Sequence, residues 1–153
     1  TGATTVTLFT SSWDDGGFDP MLGLWDDSGA LLYQQDDGGN LGTTLSNGTP
    51  YTHGYWDTYY SYALTAGDYQ VSIATFYNWA IGPNISNGFS YDSQTPIAIA
   101  SWYQPANGYR ASNYEFHILN VESAQQQVPE PMTLLLLGSG MAGLALVRRF
   151  RKQ

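Results

Sequence analysis

Acidic side chains recur along the chain as pairs, Asp14-Asp15, Asp26-Asp27 and Asp36-Asp37, with Asp19 and Asp57 standing singly. Carboxylates on glycine-rich loops are the ligands that Ca²⁺ takes, six to eight hard oxygens at a time, completed by loop carbonyls. These residues lack the D-x-D-x-D-G order of an EF-hand, so spacing alone does not dictate a ligand set. The plain alternative is that aspartates in Asp-Gly turns bond their own backbone and keep the surface soluble. His117 follows Glu115 by two residues in a predicted strand, so the two share a face and could form half a metal site. A Glu/His pair of this kind serves equally as a surface hydrogen bond. His53 sits in the turn segment 52–54.

Nucleophilic catalysis has little to work with. The chain has no cysteine, no G-x-S-x-G elbow and no Ser/His/Asp order. Paired carboxylates hydrolyse glycosides only within a deep cleft, which roughly 120 residues rarely build. The expectation is a protein that is not an enzyme.

Aromatic side chains are abundant, at 15% of residues against 12% charged. They concentrate around Tyr55, Trp56, Tyr59 and Tyr60. Read as one strand over 55–64, this segment carries rings on both faces, and one face must be exposed unless a partner covers it. Exposed Tyr and Trp mark protein interfaces or carbohydrate platforms; a sheet packed on both sides is the alternative.

The elements that must position these groups are β-strands. Runs 4–11, 21–25, 30–35, 55–64, 69–76, 97–103 and 114–121 are apolar-rich and separated by turn clusters. Residues 26–29 and 65–68 are expected to make tight hairpin turns, and 36–40 to open a longer loop. Seven or eight short strands imply an all-β fold, an antiparallel β-sandwich or jelly roll. The triplets Asn47-Gly48-Thr49 and Asn84-Ile85-Ser86 match glycosylation sequons.

Charge divides the chain. All thirteen acidic residues precede position 131, where only Arg110 opposes them, a formal −12; Arg148, Arg149, Arg151 and Lys152 give the tail +4. So acidic a domain repels nucleic acid and anionic lipid and attracts divalent cations or basic partners. Residues 131–147 carry no charge. As a helix they would extend roughly 25 Å, a little under a bilayer core that the basic side chains help to span. This predicts a single C-terminal transmembrane helix with residues 148–153 as a cytoplasmic tail and residues 1–122 on the far side of the membrane. Residues 123–130 read as a linker. Gly138, Ser139, Ala142 and Gly143 put small residues on faces suited to close helix contact. The chain starts at Thr1 without a hydrophobic leader, so a removed signal peptide is expected.

Pro129, Glu130 and Pro131, followed by the apolar span and the arginine cluster, resemble the PEP-CTERM sorting signal of Gram-negative bacteria. The resemblance implies processing by an exosortase near Pro129–Pro131. It places the protein in the inner membrane with its ectodomain in the periplasm, or on the cell surface or in an exopolysaccharide matrix once cleaved. A second resemblance rests on Gly17-Phe18-Asp19-Pro20, Leu22-x-Leu24-Trp25-Asp26-x-x-Gly29, Gln35-Asp36-Asp37 and Leu64-x-Ala66-Gly67-x-Tyr69. These look like bacterial pre-peptidase C-terminal-like domains, which are non-catalytic jelly-roll modules, some of them calcium-binding. Within those segments, Asp19, Asp36 and Asp37 become the best Ca²⁺ candidates, joined by Asp57 at the head of a strand able to return beside the Asp36 loop.

Three roles follow. The first is a membrane-anchored accessory protein that docks through its helix and aromatic surface on other membrane-protein subunits or on itself. The second is an exosortase-processed matrix or adhesion protein. The third is a carbohydrate-binding module with a polysaccharide partner.

Overall fold

Two short β-rich stretches with complementary apolar faces begin the domain and organise the rest of it. β1 (Thr4–Thr10) and β2 (Pro20–Asp26) each sit at the centre of a three-stranded antiparallel sheet. In this computed structural model, which describes residues 2–95 and 110–126, the first sheet runs β6-β1-β8 and the second β3-β2-β7. The flanking strands are β3 (Leu31–Gln35), β6 (Tyr59–Leu64), β7 (Tyr69–Thr75) and β8 (Phe116–Leu119). Thr1–Glu122 forms one compact unit.

Strand alternation decides which residues meet between the sheets. Val6 and Leu8 of β1, Leu22 and Leu24 of β2, and Leu64 of β6 form the buried cluster; Tyr33, Tyr60, Val71, Ile73, Phe116 and Ile118 pack against it from the outer strands. Each such leucine contributes roughly 2 kcal/mol by leaving water. One core shared by two antiparallel sheets is a β-sandwich, as the strand pattern predicts.

The outer faces of the central strands are buried as well. Thr7 and Phe9 point away from the core, yet Phe9 is completely buried. Its cover is a hairpin, β4 (Gly42–Ser46) and β5 (Thr49–His53). Phe9 stacks on His117 with ring centroids 4.4 Å apart and meets His53 edge-on. Tyr51 closes over His117 from the hairpin side. On the other sheet Trp25 lies flat and fully buried, its indole N–H donating to Ser72 Oγ at 3.0 Å. Gly23 makes room for that ring, because a Cβ there would stand 2.9 Å from Trp25 Nε1. Phe89 packs on Trp25 edge-on, from a segment whose Asn84 pairs with Ala30.

Several expectations change. The hairpin β4–β5 is not among the strands read from the sequence, and Asn47-Gly48 is its turn, with φ of 49° and 79°. Consecutive left-handed residues give the twist that a two-residue hairpin needs. The other sequon match is likewise occupied: Asn84 caps the short 3₁₀ turn Ile85–Asn87, accepting from the Ser86 N–H and hydroxyl. Residues 26–29 do form the β2–β3 hairpin. Residues 65–68 do not join hairpin partners. They carry the chain from β6 in one sheet to β7 in the other, because Leu64 and Val71 face the same core from opposite sides. The expected strand 55–64 begins only at Tyr59, and 97–103 lies outside the described residues. The membrane helix 131–147, with Gly138, Ser139, Ala142 and Gly143, and the basic residues Arg148, Arg149, Arg151 and Lys152, also lie outside them. Among the described residues no helix is long and apolar enough to cross a membrane.

Candidate functional site

At one end of the sandwich three loops converge, 11–19, 36–40 and 54–58. Asp57 ties them together. Its carboxylate accepts from Thr10 Oγ1 and from the Gly54 N–H, both at 2.9 Å, and from the Trp13 N–H at 3.4 Å. Its carbonyl accepts from the Gly38 N–H at 2.9 Å. Gly38 is obligatory at this contact, since an added Cβ would run into the backbone N of Tyr59. Ser12 and Gly17 close the first loop through a 2.9 Å backbone bond. Arg110 braces it from outside, donating to the carbonyls of Gly17 and Trp13 while its guanidinium lies 3.5 Å over the Trp13 ring.

Within this frame Asp19, Asp36 and Asp37 come together, each offering a carboxylate oxygen within 4.8 Å of the others. Asp19 precedes β2 and is almost wholly buried; Asp36 and Asp37 follow β3, the partner of β2, and are half-buried. The Oδ1 atoms of Asp36 and Asp37 are buried where no hydrogen-bond donor among the described residues reaches them. Nor does a cation neutralise them, because Arg110 is the only Lys or Arg among the described residues and it is engaged at Trp13. Burial, and then the charge of Asp37, push the Asp36 carboxyl up to about 6; burial also raises Asp37.

The donor set suits a hard divalent cation. Oxygens about 2.4 Å from a common Ca²⁺ lie within about 5 Å of one another, the spread found here, and loop carbonyls complete its shell. Three of the four residues expected from the sequence thus converge. Asp57 is placed differently: its buried carboxylate is taken by the Thr10 hydroxyl and the Gly54 and Trp13 amides. Its carbonyl holds the Gly38 loop, and its carboxylate is not one of the three that gather.

The histidines do not gather metal ligands. The Ser11 hydroxyl lies 3.0 Å from Glu115 Oε2, to which it can donate, and 3.0 Å from His117 Nε2, where the imidazole tautomer sets the direction. Burial holds His117 below its ordinary pKa, with the Glu115 charge offsetting part of the effect. His53 contacts Thr44 Oγ1 and the Asn40 carbonyl and anchors the hairpin.

The four aromatics expected as one surface separate. Tyr55 and Trp56 are exposed on the 54–58 turn, where Trp56 packs against Trp13 with centroids 5.6 Å apart. Tyr59 lies under the hairpin against Phe9 and His53. Tyr60 stacks on Tyr33 at 3.6 Å, closing the side of the sandwich between β6 and β3. The cause is the Asp57 turn, which reverses the chain before β6 can start.

The fold and this loop end define a small acidic β-sandwich with a candidate cation site. The chain also carries a PEP-CTERM protein-sorting motif, matched over residues 127–152, which include Pro129, Glu130 and Pro131. A motif of this kind implies a membrane-anchored or secreted extracytoplasmic protein of Gram-negative bacteria, with an exosortase as the processing enzyme. No curated protein and no solved structure matches the chain. The likeness to pre-peptidase C-terminal-like domains remains one of turn and strand residues.

Proposed function

We propose that the protein is a non-catalytic structural component of the cell surface or its matrix, exported through its sorting motif, with a Ca²⁺ ion fixing the loop end of the sandwich. The observation that carries the role is the sorting motif joined to a domain whose best-formed polar site is a carboxylate cluster. Asp19, Asp36 and Asp37 would hold the ion, and the ion would replace the hydrogen-bond donors that the buried oxygens of Asp36 and Asp37 lack. Tyr55 and Trp56 are the part of the expected aromatic surface still available for docking.

The test is fractionation of cells with intact-mass measurement of this chain, comparing wild type with Glu130→Gln. A chain ending near Glu130 in the extracellular fraction, retained in the membrane by E130Q, supports the matrix role. Full-length wild-type chain in the membrane with stoichiometric partners would replace it with the accessory-subunit reading, for which the small-residue faces at 138–143 are the sequence support.

A further inference from the structure

The aromatic group on the loop end has features of its own. Tyr55 is 57% and Trp56 39% exposed. Tyr55 meets Trp56 edge-on at 5.1 Å, and Trp56 rests on Trp13. Trp13 is held from behind by Arg110, and the turn that carries Tyr55 and Trp56 is held by Asp57. Trp56 is thus backed by Trp13, and Tyr55 and Trp56 keep exposed surface. Beside them, the Asp14 carboxylate lies against Gly54, where a Cβ would come within 3.4 Å of it; Asp14 and Asp15 are both exposed.

Rigid, solvated aromatic faces next to free carboxylates match the two chemistries of a sugar ring. Its axial C–H face is apolar and stacks on an aromatic plane, and its hydroxyls donate to carboxylate oxygens. We propose that Trp13, Tyr55 and Trp56, with Asp14 as hydroxyl acceptor, form a binding platform for an uncharged hexose polymer. This rests on the extracytoplasmic structural role above for the presence of such a partner. Charge selects the uncharged class: the described residues carry a single basic side chain, Arg110, and it lies behind the rings, so a uronate polymer meets only like charge. A protein partner is less well served. A stable protein interface covers about 800 Å² per side, with aliphatic side chains around its aromatic anchors. The exposed Leu45 sits beside the Asn47-Gly48 turn, at the other end of the β4–β5 hairpin.

The experiment titrates the full-length chain, in a polyoxyethylene detergent free of sugar, and follows tryptophan emission. The probes are cellohexaose, maltohexaose, laminarihexaose and mannohexaose, with polygalacturonate as the polyanion. At least one neutral hexamer should give saturable quenching, and polygalacturonate none. Trp56→Ala should weaken that binding about tenfold or more, the worth of one lost stacking plane, and Tyr55→Ala by about threefold. Tyr77→Ala, an exposed ring in another segment, should leave it unchanged. The proposal is overturned if no neutral hexamer binds, if W56A and Y55A both bind like wild type, or if polygalacturonate binds best. It is equally overturned if W56A abolishes capture of a stoichiometric protein partner while leaving sugar binding intact. Loss of the sugar result with normal exosortase release would remove the platform and leave the export role standing.

Discussion

Replacing Asp36 with Asn should change stability in opposite directions with and without calcium. In the folded protein the Asp36 carboxyl titrates near 6 instead of the ordinary 3.8, first through burial and then through the charge of Asp37. A rise of about two units is nominally about 3 kcal/mol, and screening of a half-exposed group leaves about 1 kcal/mol. The folded state holds the proton more tightly than the unfolded state. The contribution of Asp36 to stability without metal is therefore greatest below about pH 4, falls as pH rises to about 6, and stays low above it. Asparagine removes that cost, so in EDTA at pH 7 D36N should be about 1 kcal/mol more stable than wild type, roughly 3–5 °C in Tm for a domain of this size. Calcium a hundredfold above its dissociation constant should add about 2.7 kcal/mol to wild type and far less to the variant. The two melting curves thus exchange order on adding CaCl₂, and acidification to pH 5 should shrink the calcium effect as protons compete for Asp36. Thermal unfolding of the full-length chain by near-UV circular dichroism reads all four conditions. An equal calcium shift in both proteins, or a variant less stable than wild type in EDTA, would refute the reasoning.

Two further substitutions separate positioning from ligation. Asp57→Ala leaves the Gly54 amide and the buried Thr10 hydroxyl without their acceptor, and should cost about 2–3 kcal/mol by the same melting assay, both in calcium and in EDTA. The calcium shift itself should survive in D57A; its loss would make Asp57 a ligand after all. Gly17→Ala places a methyl 2.6 Å from the Asn113 carbonyl oxygen and 2.7 Å from that of Ser12, both on backbone. It should cost about 2 kcal/mol, read as a Tm drop of roughly 6–10 °C, because backbone cannot swing aside.

How much of this is visible in the sequence depends on whether a residue's role is local. The alternation of Val6 and Leu8, and of Val71 and Ile73, points directly to the shared core. The turn at 26–29 likewise depends only on its own Asp and Gly. Asp19, Asp36 and Asp37 are grouped in the sequence only through the matched segments of the resemblance, and they gather in space because β2 and β3 are hairpin neighbours, the start of one beside the end of the other. The failures are non-local. Nothing within residues 65–68 distinguishes a hairpin turn from a crossing between sheets; the partner strands of β6 and β7 decide it. The burial of both faces of β1 depends on a hairpin more than thirty residues away in sequence. That hairpin did carry a local signal, Asn47-Gly48, which reads equally well as part of a sequon.

The aspartates of this domain show why a count of acidic residues cannot locate a site. Asp26 receives the Ser28 hydroxyl, the Ser28 amide and the Ala30 amide, and the Ser28 side chain foremost holds its carboxyl below the ordinary value. Asp57 receives a hydroxyl and two amides while fully buried. Both carboxylates have their charge met by the chain itself, and a cation at either would have to displace bonds already formed. Asp36 and Asp37 stand in an equally ordinary Asp-Asp-Gly stretch, yet their buried oxygens meet no donor and their protons bind more tightly. Backbone amides in reach, set by how each loop turns, make the difference between these groups. Where the chain supplies donors, an aspartate is architecture; where it buries the carboxylates together and supplies none, only a proton or a metal ion can meet the charge, and at neutral pH the proton is scarce.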